Sequence, residues 1–288
     1  MNLTATPITR PITFHGEGPF WDSDRGQLLC VDLLAGAVVA VGPSGQFSRY
    51  PVPSRVATVV RRRSCGGYVI ATEGSVLGAD DALSRFEVIA ELNVSPDVRT
   101  NDGGCDPSGD FIIGTMAYDE RDDGGAVYRI SPGGVVDKIL SPVSISNGVQ
   151  WSADKSRVFY IDTPTRCVDV FDVDAASGRW SGRRTHLRIH GATGYPDGMA
   201  IDEEDGLWIA IWGGNAIHHY DANGSLVESI GVPGVSQPSS CAFGGDQRDV
   251  LYITTSRQGL PEGAEPLAGA VFALQVRVKG AQVWEFRG

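Results

Sequence analysis

One block of residues recurs six times along this 288-residue chain, and its spacing constrains the fold more than any other feature. In the clearest copies an acidic or amide residue precedes a glycine and an apolar or aromatic residue follows. An Asp-centred turn comes next, then an apolar strand carrying an aromatic side chain. Ser146-Asn147-Gly148-Val149-Gln150-Trp151, leading to Val158-Phe159-Tyr160-Ile161-Asp162, is the best preserved. Gly16-Glu17-Gly18-Pro19-Phe20-Trp21, Asn101-Asp102-Gly103-Gly104-Cys105 and Pro196-Asp197-Gly198-Met199 repeat the design. Degenerate copies run from Ser239 to Asp246 and from Val56 to Val60. The copies begin near positions 17, 56, 102, 147, 197 and 240, so the period lies between 39 and 50 residues.

A period of roughly 40–50 residues with several short strands per unit is that of a propeller blade. The reading is therefore all-β: a six-bladed β-propeller with four-stranded blades around a central channel, with residues 1–288 as a single domain. Within the units, Val168–Val173, Ala216–Tyr220 and Ala126–Ile130 read as outer strands ending in turns rich in Asp, Asn, Pro and Gly. The 37 glycines and 16 prolines favour short strands and tight turns over long helices. A β-sandwich with coincidental spacing is the competing architecture.

The formal net charge of −11 argues against a nucleic-acid partner, which needs a basic face to offset phosphates. Five cysteines (Cys30, Cys65, Cys105, Cys167, Cys241), odd in number and without a C-x-x-C pair, read as small buried residues of a reducing compartment. Residues 1–10 carry no secretory pattern, and the apolar stretch Leu28–Val41, broken by Asp32, is too short to span a bilayer. The expected location is cytoplasmic, with no membrane partner. There is no G-x-S-x-G, H-E-x-x-H or phosphate-binding loop. The five histidines fall outside the repeat anchors, and Arg61-Arg62-Arg63 reads as a solvated turn.

Equivalent residues of successive blades lie on one ring around a propeller axis. The residue before the block's glycine is Glu17, Asp102, Asn147 and Asp197 in four copies. Oxygen donors converging at one end of a channel repel one another unless a cation neutralises them. Carboxylate and amide oxygens without His or Cys suit a hard divalent ion: Ca²⁺ first, Mg²⁺ or Mn²⁺ next, with Zn²⁺ or Fe²⁺ less characteristic.

At Gly16-Glu17-Gly18-Pro19, Arg99-Thr100-Asn101-Asp102-Gly103, Ile145-Ser146-Asn147-Gly148 and Pro196-Asp197-Gly198-Met199 the chain resembles the senescence marker protein/gluconolactonase/regucalcin family. Gly114-Thr115-Met116 and Gly269-Ala270-Val271-Phe272 extend the resemblance over nearly the full length. It implies a six-bladed propeller that holds one divalent cation and hydrolyses a sugar-acid lactone (glucono-, xylono- or arabinono-lactone) to the free acid. It further implies metal ligation by Glu17, Asn147 and Asp197, with Asp197 also the catalytic acid/base. Substrate contacts would come from Arg99, Asn101 and Asp119. Repeat phase favours Asp102 as the ring residue of its blade and the resemblance favours Asn101; Asn101 is taken as substrate-facing, with Asp102 behind it. Two other functions compete: a metal-dependent esterase or phosphotriesterase, and a calcium-binding propeller without enzymatic activity. Oligomeric state is not legible.

Overall fold

The computed structural model describes residues 3–191 and 193–288. A two-residue strand, β1 (Thr6–Pro7), precedes the first blade. Blade 1 is β2 (Gly16–Asp22), β3 (Gln27–Asp32), β4 (Ala37–Val41) and β5 (Phe47–Pro51). Blade 2 is β6 (Ala57–Arg62), β7 (Tyr68–Thr72), β8 (Ser75–Ala79) and β9 (Phe86–Glu91). Blade 3 is β10 (Val98–Cys105), β11 (Phe111–Ala117), β12 (Gly125–Ile130) and β13 (Val136–Val143). Blade 4 comprises β14 (Ser146–Trp151), β15 (Arg157–Asp162), β16 (Cys167–Val173) and β17 (Trp180–Arg188), and blade 5 comprises β18 (Tyr195–Ile201), β19 (Leu207–Trp212), β20 (Ala216–Tyr220) and β21 (Leu226–Gly231). Blade 6 takes β22 (Pro238–Gly244), β23 (Val250–Thr255) and β24 (Phe272–Gln275), and β1 returns to complete it through Thr6↔Ala273 and Pro7↔Phe272. The fold is the six-bladed, four-stranded propeller expected from the repeat.

Position within a blade explains the composition of each strand. The second strands lie between neighbouring sheets and are apolar almost throughout, as in Leu207-Trp208-Ile209-Ala210-Ile211. The outer strands face solvent and alternate or turn polar, as in β17, where six of nine residues are exposed. The core is accordingly not central. Six separate apolar clusters fill the six wedges between adjacent blades, one for each interface.

The innermost strands carry the recurring block, and all six shift register at one level. The breaks fall between Glu17 and Phe20, Ala57 and Val59, Thr100 and Gly103, Asn147 and Val149, Pro196 and Met199, and Pro238 and Ser240. Such bulges kink a strand and re-aim its side chains. In blades 1, 3, 4 and 5 residues beside these bulges line the channel mouth. The opposite end is crossed by residues 280–287, whose N–H groups reach the carbonyls of Arg248 (from Gly280), Ile201 (from Ala281), Arg62 (from Phe286) and Gly109 (from Arg287). Among the described residues the only helices are the 3₁₀ turns Leu33–Ala35 and Thr163–Thr165. None is long or apolar enough to cross a membrane.

Candidate functional site

In blades 1, 4 and 5 the glycine that follows the ring residue is imposed by the next blade. A Cβ on Gly148 would stand 2.6 Å from the Met199 Cβ, and one on Gly198 would collide with the Ser240 hydroxyl. Neighbouring innermost strands thus pass so closely at the bulge that the position tolerates no side chain. The residue just before it is the one aimed into the mouth. Glu17, Asn147 and Asp197 all line a cavity of about 440 Å³ there, together with Arg99, Asn101 and Thr163. All three are buried.

A directed chain of hydrogen bonds crosses blades 3, 4 and 5. The Arg99 guanidinium donates to Asn101 Oδ1 at 2.6 Å. Asn101 Nδ2 donates to the Ser146 carbonyl at 2.9 Å and to Asn147 Oδ1 at 3.1 Å. Asn147 Nδ2 donates to Thr163 Oγ1 at 2.8 Å, which donates in turn to the Pro196 carbonyl at 2.8 Å. Glu17 is held separately, its Oε2 accepting the Gly18 N–H at 3.0 Å.

Two carboxylates stand in this polar pocket without a salt bridge from any described residue. Burial raises the Glu17 pKa to about 8, Asp102 adds to the rise, and the Gly18 N–H and Arg99 oppose it. Asp197 is raised well above the ordinary carboxylate range, by burial first and then by Glu17 and Asp102, with Arg99 again opposing. The site is short of positive charge. Among the described residues no three His, Cys, Asp or Glu side chains form an ion-holding cluster, and the Asn147 amide supplies a further oxygen in the same cavity. Two carboxylates and an amide oxygen fit a hard divalent cation.

Asp102 leaves the ring. It faces the next level down the channel, a void of about 60 Å³ lined also by Arg61, Gln150, Met199 and Trp284. Arg61 belongs to β6 rather than to a solvated turn, and it is buried. Its guanidinium donates to the carbonyls of Val60 at 2.8 Å, Gly18 at 2.9 Å and Gly103 at 2.9 Å. It is also the cation that offsets the charge of Asp102. A run of three arginines looks exposed in sequence; alternation along a strand sends the first into the channel.

Asp119 does not line the cavity. Its side chain is exposed and pairs with Arg121 at 2.8 Å, while the next residue, Glu120, enters the cavity wall from a left-handed backbone position (φ 56°). Sequence reasoning also passed over His15, Trp212 and Tyr195, which line the cavity too. His15 bonds Ser256 Oγ at 2.7 Å, and burial, helped by Arg99, lowers its pKa to about 3, so the imidazole is neutral. Trp212 packs edge-on against it, ring centres 5.6 Å apart. Their signal was adjacency: His15 stands two residues before Glu17, and Trp212 pairs with Tyr195 across blade 5. Of the cysteines, four are buried as expected and Cys65 is exposed.

Comparison with known proteins places this geometry in a family. The family model for the SMP-30/gluconolactonase/LRE-like region matches residues 15–257. Regucalcin of Danio rerio is 35% identical over 282 residues, 95% of each chain. The Bacillus subtilis (strain 168) protein named "Putative sugar lactone lactonase YvrE" is 32% identical over 280 residues, again 95% of each. A solved calcium-binding protein, regucalcin from Agrobacterium tumefaciens str. C58, superimposes with a TM-score of 0.93 at 26% identity, covering 100% of this chain and 99% of the other. With a family match over residues 15–257 and 35% identity over 95% of each chain, this chain belongs to the SMP-30/gluconolactonase/LRE-like family.

Proposed function

We propose that the cavity at the channel mouth is the active site of a hydrolase that opens a sugar-acid lactone, a glucono-, xylono- or arabinono-lactone, to the free aldonic acid. The observation that carries the reading is the pairing of two buried, unneutralised carboxylates with a donor-rich wall, Arg99 and Asn101, inside one cavity. The lactonase named among the relatives supports it. Glu17, Asn147 and Asp197 would hold the divalent cation, Ca²⁺ being the first candidate given the calcium-binding structural relative. When bound, that ion supplies the positive charge that polarises an ester carbonyl.

The remaining work falls to the chain's own groups. Asp197 takes the proton of the attacking water and returns it to the departing ring oxygen. Arg99, a fixed planar donor, and Asn101 orient the hydroxyls and carbonyl of the substrate. Glu120 stands where the acidic substrate contact was expected from Asp119. Met116, Ile145, Pro164, Tyr195 and Trp212 give the cavity an apolar wall that suits the C–H face of a sugar ring.

The test is acid release from a panel of lactones and phosphotriesters, after chelation and again after readdition of single divalent ions. Aldonolactone turnover that disappears on chelation and returns with a cation is the expected result. Turnover of phosphotriesters alone would move the protein to another esterase class. Cation binding without turnover of either would leave a non-enzymatic binding propeller.

A further inference from the structure

Thr163 lies outside the recurring block. It opens the 3₁₀ turn that follows β15 and lines the cavity. We propose that Thr163 is a positioning residue: its hydroxyl fixes which end of the Asn147 amide faces the cavity and ties that amide to the strand bearing Asp197. The inference rests on the cation reading given above.

An asparagine amide has two ends of nearly equal size, one an acceptor and one a pair of donors. Only the oxygen end can serve a cation, so a flipped Asn147 would present N–H groups to it. The hydrogen-bond chain removes the choice. The hydroxyl of Thr163 has one proton, and the Pro196 carbonyl, an acceptor only, takes it at 2.8 Å. Toward Asn147 the Thr163 oxygen can therefore only accept, and the amide end facing it must be Nδ2. The other end of the chain agrees: Arg99, a donor only, fixes Asn101 Oδ1, which leaves Asn101 Nδ2 to donate to Asn147 Oδ1. One acceptor-only group and one donor-only group thus set the direction of every amide between them.

Blade 1 provides an internal comparison. Asp32 accepts the N–H groups of Phe14 and His15, as Asp162 accepts those of Ser144 and Ile145. A 3₁₀ turn follows each, anchored by the N–H of Leu33 to the His15 carbonyl and of Thr163 to the Ile145 carbonyl. Glu17 pairs with Val31 as Asn147 pairs with Ile161. In this shared framework Leu33, buried among apolar side chains, occupies the place of Thr163. The carboxylate has no end to choose and has leucine behind it. The amide has, and has a hydroxyl.

The experiment compares Thr163→Val, which keeps the shape and loses the hydroxyl, with Thr163→Ser, which keeps the hydroxyl. Ca²⁺ alone is titrated calorimetrically into chelator-treated protein. Groups that orient metal ligands typically contribute about 10–100-fold in affinity. Thr163→Val is expected to bind Ca²⁺ about tenfold more weakly or worse, and Thr163→Ser within about threefold of the parent, on that same scale. A second measurement needs no cation: the side-chain amide NMR signal of Asn147, assigned by its absence in Asn147→Asp. It should be sharp in the parent and in Thr163→Ser, and broadened or lost in Thr163→Val. Unchanged affinity together with an unchanged amide signal in Thr163→Val overturns the proposal. Equal losses in both variants would give the role to the methyl group and overturn it too. If the parent binds no Ca²⁺, the cation reading fails on its own, and the amide signal alone decides the role of Thr163.

Discussion

At the channel mouth one ring level carries a carboxylate at Asp197 and an amide at Asn147, each lining the same cavity. An oxygen donor of either type can serve a cation, but only the carboxylate can take a proton. Asp197→Asn should therefore retain part of the cation affinity and lose about 10²–10⁴-fold in kcat with cation at saturation, the usual contribution of a positioned acid/base. Asn147→Asp should lose much less. Steady-state kinetics with bound cation quantified separately checks both; turnover near the parent level by cation-loaded Asp197→Asn would place the proton elsewhere, with Glu120 the next group in the cavity. Glu17, Asn147 and Asp197 were legible in the sequence because each precedes a glycine crowded by the neighbouring blade, whereas Asn101 was legible only through the family resemblance, repeat phase having favoured Asp102. Thr163, His15 and Glu120 were not, since their places depend on a turn following a strand, a loop entering one and a left-handed residue, none of which the repeat encodes.

Among the elements, β6 does the least obvious work. It supplies no donor to the cavity, yet its Arg61 reaches the Gly18 carbonyl of blade 1 and the Gly103 carbonyl of blade 3, both beside bulges that carry cavity residues. It is also the charge that opposes the rise in the Asp102 pKa caused by burial. Removing Arg61 leaves three buried carbonyls without its hydrogen bonds, at a typical cost of about 1–3 kcal/mol for each left unsatisfied, and takes away the charge that opposes burial of Asp102. Arg61→Met should lower stability by that order in denaturant unfolding, and adding Asp102→Asn should recover part of the loss. A double variant no more stable than Arg61→Met would show that the carbonyl contacts, not the charge, explain the role of Arg61. The polar block of β6 is degenerate in sequence because blade 2 gives its ring position to Thr58, whose hydroxyl pairs with Thr100 at 2.8 Å instead of facing the cavity.

For the whole molecule the consequence is a linkage between cation, proton and fold. The Glu17 pKa in the folded protein, about 8, lies above its ordinary value of 4.5. A group raised in this way contributes its stabilisation fully below the unfolded-state value and loses it as pH rises through the folded one. Chelated protein should therefore melt at progressively lower temperature between about pH 5 and 8.5, and Glu17→Gln should flatten that slope. A cation bound as proposed would reverse the preference, so near neutral pH its binding should release protons. Calorimetry in buffers of different ionisation enthalpy measures that release; none at pH 6 would mean that both carboxylates are already ionised without the ion.

By itself the sequence determined the number of blades, the succession of strands within them and the ring residues of three blades, Glu17, Asn147 and Asp197. Those features arise from short-range causes that repeat: alternation, turn chemistry and the glycine demanded at each close approach. Tertiary structure alone decided the rest. It brought β1 back to complete blade 6, sent Arg61 inward, placed Asp102 one level below the cavity, and put Glu120 rather than Asp119 in the wall. Each of those outcomes depends on which groups from distant blades meet across the channel, where burial and opposing charge act between residues whose separation along the chain says nothing of their distance in space.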